Sequence, residues 1–350
     1  MAFAAAVERF TAKKEIQMTD IYTPLEIKGK ALKNRIVLGP AERVGYTFTY
    51  DDAIMGEEVI KEYITLAENN IGLIIFQSMV VSQKSIDYTG WPMPGAFKRE
   101  NLEPLKRIGE AARKNGSTFI VQLGSGYPYS NSWTTEEMDE FLHQFLVGVK
   151  LCIDAGVDGI EIHGCHDLTL GQIVDPYKNR RTDKYSNGLD FVREIIKFTR
   201  NNAPDDFIIS YRMGCSFDWD ADIRQAKSIE ALGIDILNVS YGAIRQYPSG
   251  IPAKYEYSEM TYAASLLKKY VDIPVIAGIG IDTIRRGDKL IQDGGADLVA
   301  YAKPFLADPL FATRSLDDPD YRPCLGCRMC WWGSDGSKCP GRIRAVKIDG

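Results

Sequence analysis

Histidine is scarce in this chain of 350 residues, which contains three, and basic residues are outnumbered by acidic ones. The formal net charge of -5, with both signs interspersed, offers no basic face for a phosphate backbone, so nucleic-acid binding is not expected. No apolar run approaches the roughly 20 residues that span a bilayer, which predicts no membrane segment. The start of the chain lacks the basic residues and apolar centre of a signal peptide, so we expect a cytoplasmic protein.

A glycine-rich dinucleotide-binding turn (GxGxxG) is also missing after the first strand-like run. The chain instead has eight short β-rich runs that alternate with amphipathic helical stretches. Among the helix-start signals, Thr134 and Glu137 form a capping-box pattern, and Asn101 precedes a run of helical periodicity. This alternation predicts an α/β fold, a closed parallel (β/α)8 TIM barrel, rather than a doubly wound open sheet. The predicted strands are 36–39, 72–76, 119–123, 159–162, 207–212, 236–240, 274–277 and 298–302.

Three regions follow from this pattern. Residues 1–20 are predicted to be an alanine-rich N-terminal extension, and residues 21–315 to be the barrel. Residues 316–350 leave the alternating pattern and are rich in proline, glycine, cysteine and tryptophan. They are predicted to be a short appended cysteine motif rather than a second folded domain.

Two of the three histidines, His163 and His166, directly follow the fourth predicted strand. Barrel enzymes have their catalytic residues at the carboxyl ends of the strands, because the loops there are not needed to stabilise the barrel. The pair therefore predicts an active site, the alternative being two side chains that cap a loop. Cys165 lies between them and is either a small buried apolar residue or a functional thiol.

Other strand ends carry residues suited to a cofactor. Gly278 and Gly280 let the backbone approach an anion, and Lys303 offers a positive charge, which together predict a phosphate site unless the glycines merely form a tight turn. Gln122 and Arg212 close the third and fifth strands and suit the pyrimidine edge of a flavin. The alternative for them is a buried polar network at the barrel rim.

Several segments together resemble the old yellow enzyme family of FMN-dependent NADH:flavin oxidoreductases. The resemblance extends over about residues 20–330, and the layout is similar to the barrel domains of dienoyl-CoA reductase and trimethylamine dehydrogenase. The segments are LKNRIVLGPAER (32–43), VQLGSG (121–126), AGVDGIEIHGCH (155–166), NRRTDKY (179–185), IPVIAGIGID (273–282) and GGADLVAYAKPFLADP (294–309).

The resemblance implies an FMN across the barrel mouth and assigns residues to it. His163 and His166 match the paired donors that hold the oxygen of an activated substrate above the flavin, where hydrogen bonds favour hydride acceptance. The residues implied for the flavin ring are Pro40 and Ala41 behind it, Glu42 close to it, and Gln122 and Arg212 at its polar edge. The residues implied for its phosphate are Gly278, Gly280, Ala302 and Lys303.

Some positions depart from the family pattern. Leu168 stands where many relatives carry a tyrosine as the proton donor, so another group or water must serve, or the reaction differs. A charged Glu42 is unusual near the flavin and should lower its potential unless it is protonated. Ser125 and Tyr127 stand where a histidine and an arginine are common, which indicates a different substrate pocket. The tyrosines available as alternative donors are Tyr46, Tyr127, Tyr129, Tyr241 and Tyr247.

The last notable motif is C-x2-C-x2-C-x8-C. Four thiolates from a short loop suit an iron-sulfur cube and also tetrahedral zinc. Larger relatives carry a [4Fe-4S] cluster on a similar motif, although the last gap here is shorter, and free or disulfide-linked thiols are the remaining alternative. The cysteines are Cys324, Cys327, Cys330 and Cys339.

The resulting hypothesis is an FMN-dependent enzyme that reduces an activated C=C bond of a small molecule, with electrons from NADH, NADPH or a partner protein through the cluster. An amine or N-methyl dehydrogenase of the trimethylamine dehydrogenase type is one alternative. A non-catalytic electron carrier is the other. The sequence leaves the oligomeric state open, a homo-oligomer included.

Overall fold

The structure is a computed structural model that describes residues 19–42 and 50–349. Eight parallel strands form a closed barrel in which each strand pairs with its neighbours in the sequence, and the last pairs with the first. The predicted TIM barrel is therefore confirmed, and most of the predicted extension lies outside the described residues. The strands are β1 (Ile36–Leu38), β2 (Leu73–Val80), β3 (Thr118–Gly124), β4 (Gly159–Gly164), β5 (Ile208–Cys215), β6 (Ile236–Tyr241), β7 (Val275–Ala277) and β8 (Leu298–Tyr301).

Every predicted run coincides with one of these strands, because strands covered on both faces are almost continuously apolar. The helices pack around the outside of the barrel. The predicted capping box is confirmed at the start of the fourth helix, where the Thr134 hydroxyl accepts from the Glu137 amide and Glu137 accepts from the Thr134 amide. The helices are α1 (Glu57–Ala67), α2 (Gln83–Thr89), α3 (Leu102–Lys114), α4 (Thr135–Asp154), α5 (Thr169–Val174), α6 (Gly188–Asn202), α7 (Trp219–Glu230), α8 (Glu259–Leu267), α9 (Ile284–Gln292), α10 (Lys303–Ala307), α11 (Phe311–Arg314) and α12 (Pro340–Asp349).

The amino end of the barrel is sealed by a short hairpin, Leu25–Ile27 paired with Lys30–Leu32. Ile27 and Leu32 join an aliphatic layer inside the barrel, to which strands on all sides contribute buried side chains. A second two-stranded hairpin, Tyr50–Asp51 with Ile54–Met55, precedes α1. In the part of the chain that the structure describes, the amino end is closed by apolar packing, so the carboxyl end is the side from which a ligand can enter the barrel.

The cysteine-bearing tail folds back on the barrel. It contains two 3-10 turns, Trp331–Gly333 and Gly336–Lys338, followed by α12. Arg342 of α12 forms a two-pronged ion pair with Glu62 of α1, and the Trp332 side chain is buried. Across the described ranges, no helix has the length and apolar character needed to cross a bilayer.

Candidate active site at the barrel mouth

A cavity of about 420 Å³ opens at the carboxyl ends of the strands. Its volume lies within the range of small-molecule pockets. Six of the residues predicted for the flavin and substrate line it together: Pro40, Glu42, Gln122, His163, His166 and Arg212. The other lining residues are Ser78, Thr89, Trp91, Met93, Ser125, Gly126 and Leu168.

The two histidines face each other at the end of β4. His163 Nε2 lies 3.0 Å from His166 Nδ1, and His166 Nε2 lies 2.9 Å from the hydroxyl oxygen of Ser240. His166 and Asp167 both adopt left-handed backbone conformations, with φ of 59° and 56°. Residues other than glycine rarely adopt this conformation. The His166 amide donates to the Tyr241 carbonyl at 2.7 Å and so fixes this turn, which directs the His166 ring back toward His163.

Both rings are neutral at physiological pH. Burial, with the neighbouring His166 and Arg212, holds the pKa of His163 well below its usual value. The His166 side chain is open to the cavity, but desolvation by the surrounding protein and the nearby Arg212 lower its pKa to about 4. A neutral imidazole has one N–H donor and one acceptor nitrogen, so the pair can donate to a substrate oxygen without adding positive charge to the pocket.

Sequence reasoning missed Glu161, which organises the floor of this site. Its carboxylate is fully buried and accepts hydrogen bonds from Gln122 Nε2 at 2.7 Å and from the side chains of Ser210 and Asn238 at 2.9 and 2.8 Å. Because the amide nitrogen of Gln122 is held by Glu161, the carbonyl oxygen of Gln122 remains for the cavity. An acidic residue inside the otherwise apolar strand GIEIHG is the signal that could have identified it.

We expect Glu161→Gln to weaken FMN binding about tenfold. The new amide cannot accept from three donors at once, so the Gln122 amide loses its fixed orientation, at a cost of about 1.5 kcal/mol. Equilibrium titration of the flavin-free protein with FMN measures the change. Glu110→Gln, on the exposed surface of α3, is the matched control, and equal affinities in the two variants would contradict the role given to Glu161.

Glu42 faces the cavity beside Pro40. Although its side chain opens into this space, the surrounding protein desolvates the carboxyl and raises its pKa. A raised pKa in an acid lowers folding stability once the pH exceeds the unfolded value, and the loss is complete above the folded value. The carboxylate is therefore a destabilising group at high pH that also places negative charge at the mouth.

Replacing Glu42 by glutamine should raise the midpoint potential of a bound flavin by about 20 mV, which corresponds to about 1 kcal/mol of relieved repulsion. The stability gain of Glu42→Gln should grow as the pH rises through the folded pKa and vanish below about pH 4.5. Potentiometric titration and urea unfolding at pH 4 and pH 8 measure both effects. Glu26→Gln on the amino-end hairpin serves as the control, and a pH-independent stability difference would refute this account.

Leu168 lines the cavity, so the position of the usual tyrosine does point into the mouth. Among the described residues no tyrosine lines it. Tyr127 is buried against a separate cavity, the Tyr129 hydroxyl donates to Asn131, and the Tyr241 hydroxyl donates to Glu259. Tyr247 is 93% exposed, and Tyr46 lies outside the described residues. The hydroxyl groups that do line the mouth belong to Ser78, Thr89 and Ser125.

The predicted phosphate residues lie at two adjacent strand ends. Gly278 follows β7 and is so close to β8 that a Cβ on it would lie 3.2 Å from the Ala300 carbonyl oxygen. Gly280 has a φ of 84°, which favours glycine. Ala302 precedes α10, whereas Lys303 is exposed and lines a different cavity, next to the cysteines. None of these four residues lines the cavity that holds the histidines.

All four tail cysteines line that second cavity, together with Lys303, Leu306 and Trp332. Within the described ranges, three ligand atoms come within 4.8 Å of one another only at His163, Cys165 and His166, so no three of the tail thiols do. A single zinc ion with bonds of about 2.3 Å would draw its sulfur ligands to about 3.8 Å apart. The tail thiols are not drawn to this spacing in the structure.

The fold and the mouth have the architecture of a TIM-barrel oxidoreductase. The solved structure of 2-naphthoyl-CoA reductase superposes on 94% of this chain with a TM-score of 0.77 at 18% sequence identity, and 57% of that protein is covered. The chain belongs to the NADH:flavin oxidoreductase / NADH oxidase family, whose sequence model matches residues 20–132 and 124–317. This membership confirms the resemblance to the old yellow enzymes and places the chain in a family of flavin oxidoreductases.

Two characterised relatives define the level of similarity. The NADH oxidase of Thermoanaerobacter brockii is 27% identical over 350 residues, with 89% of this chain and 53% of the relative covered. The cinnamate reductase of Clostridium sporogenes is 25% identical over 374 residues, with 88% and 54% covered. The chain therefore spans about half the length of these curated relatives.

Proposed function

We propose that this protein is an FMN-dependent reductase of activated C=C bonds, of the enone or enoate type, that uses electrons from NADH, NADPH or a partner protein. The observation that carries the proposal is the pair of neutral histidine nitrogens, 3.0 Å apart, at the cavity wall. In the structure one of these nitrogens donates to the other. A substrate oxygen that replaces this contact would accept an N–H hydrogen bond from each ring, in the tautomers that protonate these two nitrogens, and its negative charge would be stabilised when the β-carbon accepts a hydride.

The cavity fits a flavin on independent grounds. Arg212 lines it with a buried Nε that has no hydrogen-bond partner in the described part of the chain, and the mouth is large enough for a ring system. Pro40, Ala41, Glu42, Gln122 and Arg212 are the residues proposed to hold the ring. The phosphate residues proposed are Gly278, Gly280, Ala302 and Lys303.

FMN, when bound, supplies the hydride; the protein supplies orientation, charge and shape. His163 and His166 bind the substrate oxygen, and Ser240 holds the His166 ring in place. Leu168 gives no proton, so protonation of the α-carbon falls to water or to a hydroxyl of Ser78, Thr89 or Ser125. Trp91 and Met93 provide apolar wall for the body of the substrate.

The proposed electron route includes a [4Fe-4S] cluster held by Cys324, Cys327, Cys330 and Cys339. The cavity that all four cysteines line supports a shared inorganic group, and the order of the motif favours a cluster. Lys303, at the start of α10, lies between the end of β8 and this cavity. A cluster held by these cysteines would supply one-electron transfer, with a partner protein as the proposed electron source.

The names of the two relatives are consistent with this reaction, since one is an NADH oxidase and the other acts on cinnamate, an enoate. The decisive experiment is anaerobic stopped-flow reduction of the FMN-loaded protein by NADH or NADPH, followed by reoxidation with cyclic enones and enoates. Reoxidation by an activated alkene is expected. Failure with all alkenes, combined with flavin reduction by secondary or tertiary amines, would instead establish an amine dehydrogenase.

A further inference from the structure

Cys165 has no task in the proposed reaction, yet its thiol is turned toward the histidine pair. Its Sγ lies 3.4 Å from His163 Nε2, which in turn lies 3.0 Å from His166 Nδ1. Among the described residues, these three atoms form the one set of three potential metal ligands within 4.8 Å of one another. Thiolate with imidazole is a ligand combination that Zn²⁺ prefers.

Two of the three distances between the ligand atoms are close to those of a tetrahedral zinc site, and the third, from Cys165 Sγ to the His166 nitrogen, is at most 4.8 Å. Zinc bonds of 2.0–2.1 Å to nitrogen and 2.3 Å to sulfur place two nitrogens about 3.3 Å apart and nitrogen and sulfur about 3.6 Å apart. The structure has 3.0 and 3.4 Å before any ion binds. Shifts of about 0.3 Å are within the freedom of these side chains.

The surroundings hold one of the ligands in the required orientation. His166 Nε2 is 2.9 Å from Ser240 Oγ, which leaves Nδ1 directed at His163, and an outer partner of this kind is typical of metal-bound histidines. The left-handed turn at His166 fixes the same ring from the backbone side. Since both histidines line the cavity, a fourth coordination position faces open space.

We propose that His163, Cys165 and His166 form an inhibitory Zn²⁺ site. On binding, the Cys165 S–H bond breaks, a sulfur–zinc bond forms and the proton passes to solvent, with no change of oxidation state. The ion occupies the ring nitrogens that the substrate oxygen needs. Arg212, whose guanidinium reaches Ser240 at 3.4 Å, repels a second positive charge and keeps the binding reversible. The zinc site itself is independent of the proposed function. The inhibition of alkene reduction by zinc rests on that function.

The test measures zinc binding by calorimetry in two buffers of different ionisation enthalpy. It uses the FMN-loaded protein with Cys327→Ser and Cys330→Ser, so that the tail does not bind zinc. We expect one zinc per chain with release of about one proton. In that background Cys165→Ala should weaken zinc binding at least tenfold and abolish proton release. Cys152→Ala, an equally buried thiol in α4, should leave both unchanged.

Activity gives a second readout. Zinc should inhibit alkene reduction by the parent protein, a chelator should restore it, and the Cys165→Ala variant should remain active and resist zinc. Cys165→Ser, which keeps the side-chain volume, replaces it if the alanine variant fails to fold. Zinc affinity that is unchanged in the Cys165 variants overturns the site. Cys165-dependent zinc binding in a protein that reduces no alkene supports the site and contradicts the proposed reaction instead.

Discussion

Replacing either His163 or His166 by alanine is expected to slow reoxidation of the reduced flavin by an enone or enoate about 10²- to 10³-fold. This is the usual effect of removing one donor to a developing oxyanion. Because both rings are neutral near pH 7, the loss is one of hydrogen bonding and not of net charge. FMN should stay bound, since Gln122 and Arg212 are unchanged. Single-turnover stopped-flow spectroscopy measures the rate directly.

His143 offers a matched control, because the third histidine of the chain lies on the exposed surface of α4. His143→Ala should reoxidise at the parent rate. If both mouth variants also keep that rate with alkenes, the substrate-binding role is wrong. The parent protein could instead be inactive toward alkenes, while both histidine variants reduce artificial one-electron acceptors at the parent rate. In that case the protein is an electron carrier.

If the proposed iron-sulfur cluster is correct, replacing Cys324 or Cys327 by serine should remove it completely. We expect about four iron atoms per chain in the parent protein and fewer than one in either variant, because the motif supplies one thiolate per iron and has no spare ligand. The flavin should remain, since no tail cysteine lines the mouth cavity. Iron and sulfide analysis of anaerobically purified protein, with its visible spectrum, provides the measurement.

Cys152→Ser is the control for general effects of losing a thiol, since that residue is fully buried in α4 and far from the motif in the sequence. It should keep its full iron content. One zinc per chain with no iron in the parent protein would establish the zinc alternative and contradict the cluster. Parent protein with neither metal would leave the four thiols as ordinary cysteines.

The strands and the residues at their ends could be predicted because both depend on local pattern. A parallel strand covered on both faces is mostly apolar, so polar residues such as Gln122, His163 and Arg212 stand out in the carboxyl-terminal halves of their strands. All eight strands were found in this way. Their common edge then brings these three side chains to one mouth without any knowledge of the loops.

Features set by contacts between distant segments could not be predicted. Glu161 was missed because its partners Ser210 and Asn238 are 49 and 77 residues away in the sequence. The directions of the tyrosine side chains considered as alternative proton donors also depend on such contacts. Tyr241, at the end of β6, donates to Glu259, which is 18 residues away in the sequence. The sequence of residues 316–350 did not indicate that this segment folds back on the barrel. The ion pair that anchors it joins Arg342 to Glu62, which is 280 residues away in the sequence.

The hairpin at the amino end of the barrel has a kinetic consequence. Among the described residues, Ile27 and Leu32 help to close the amino end of the barrel, which leaves the mouth at the carboxyl end for ligands. A nicotinamide donor and an oxidising substrate must therefore occupy this mouth one after the other. We therefore expect double-displacement (ping-pong) kinetics with NADH. An excess of either NADH or the oxidising substrate should inhibit binding of the other at the mouth. Electrons supplied through the proposed cluster in the cysteine cavity would not require access to the mouth. A protein electron donor would therefore avoid the competition for the mouth between a soluble nucleotide and the oxidising substrate.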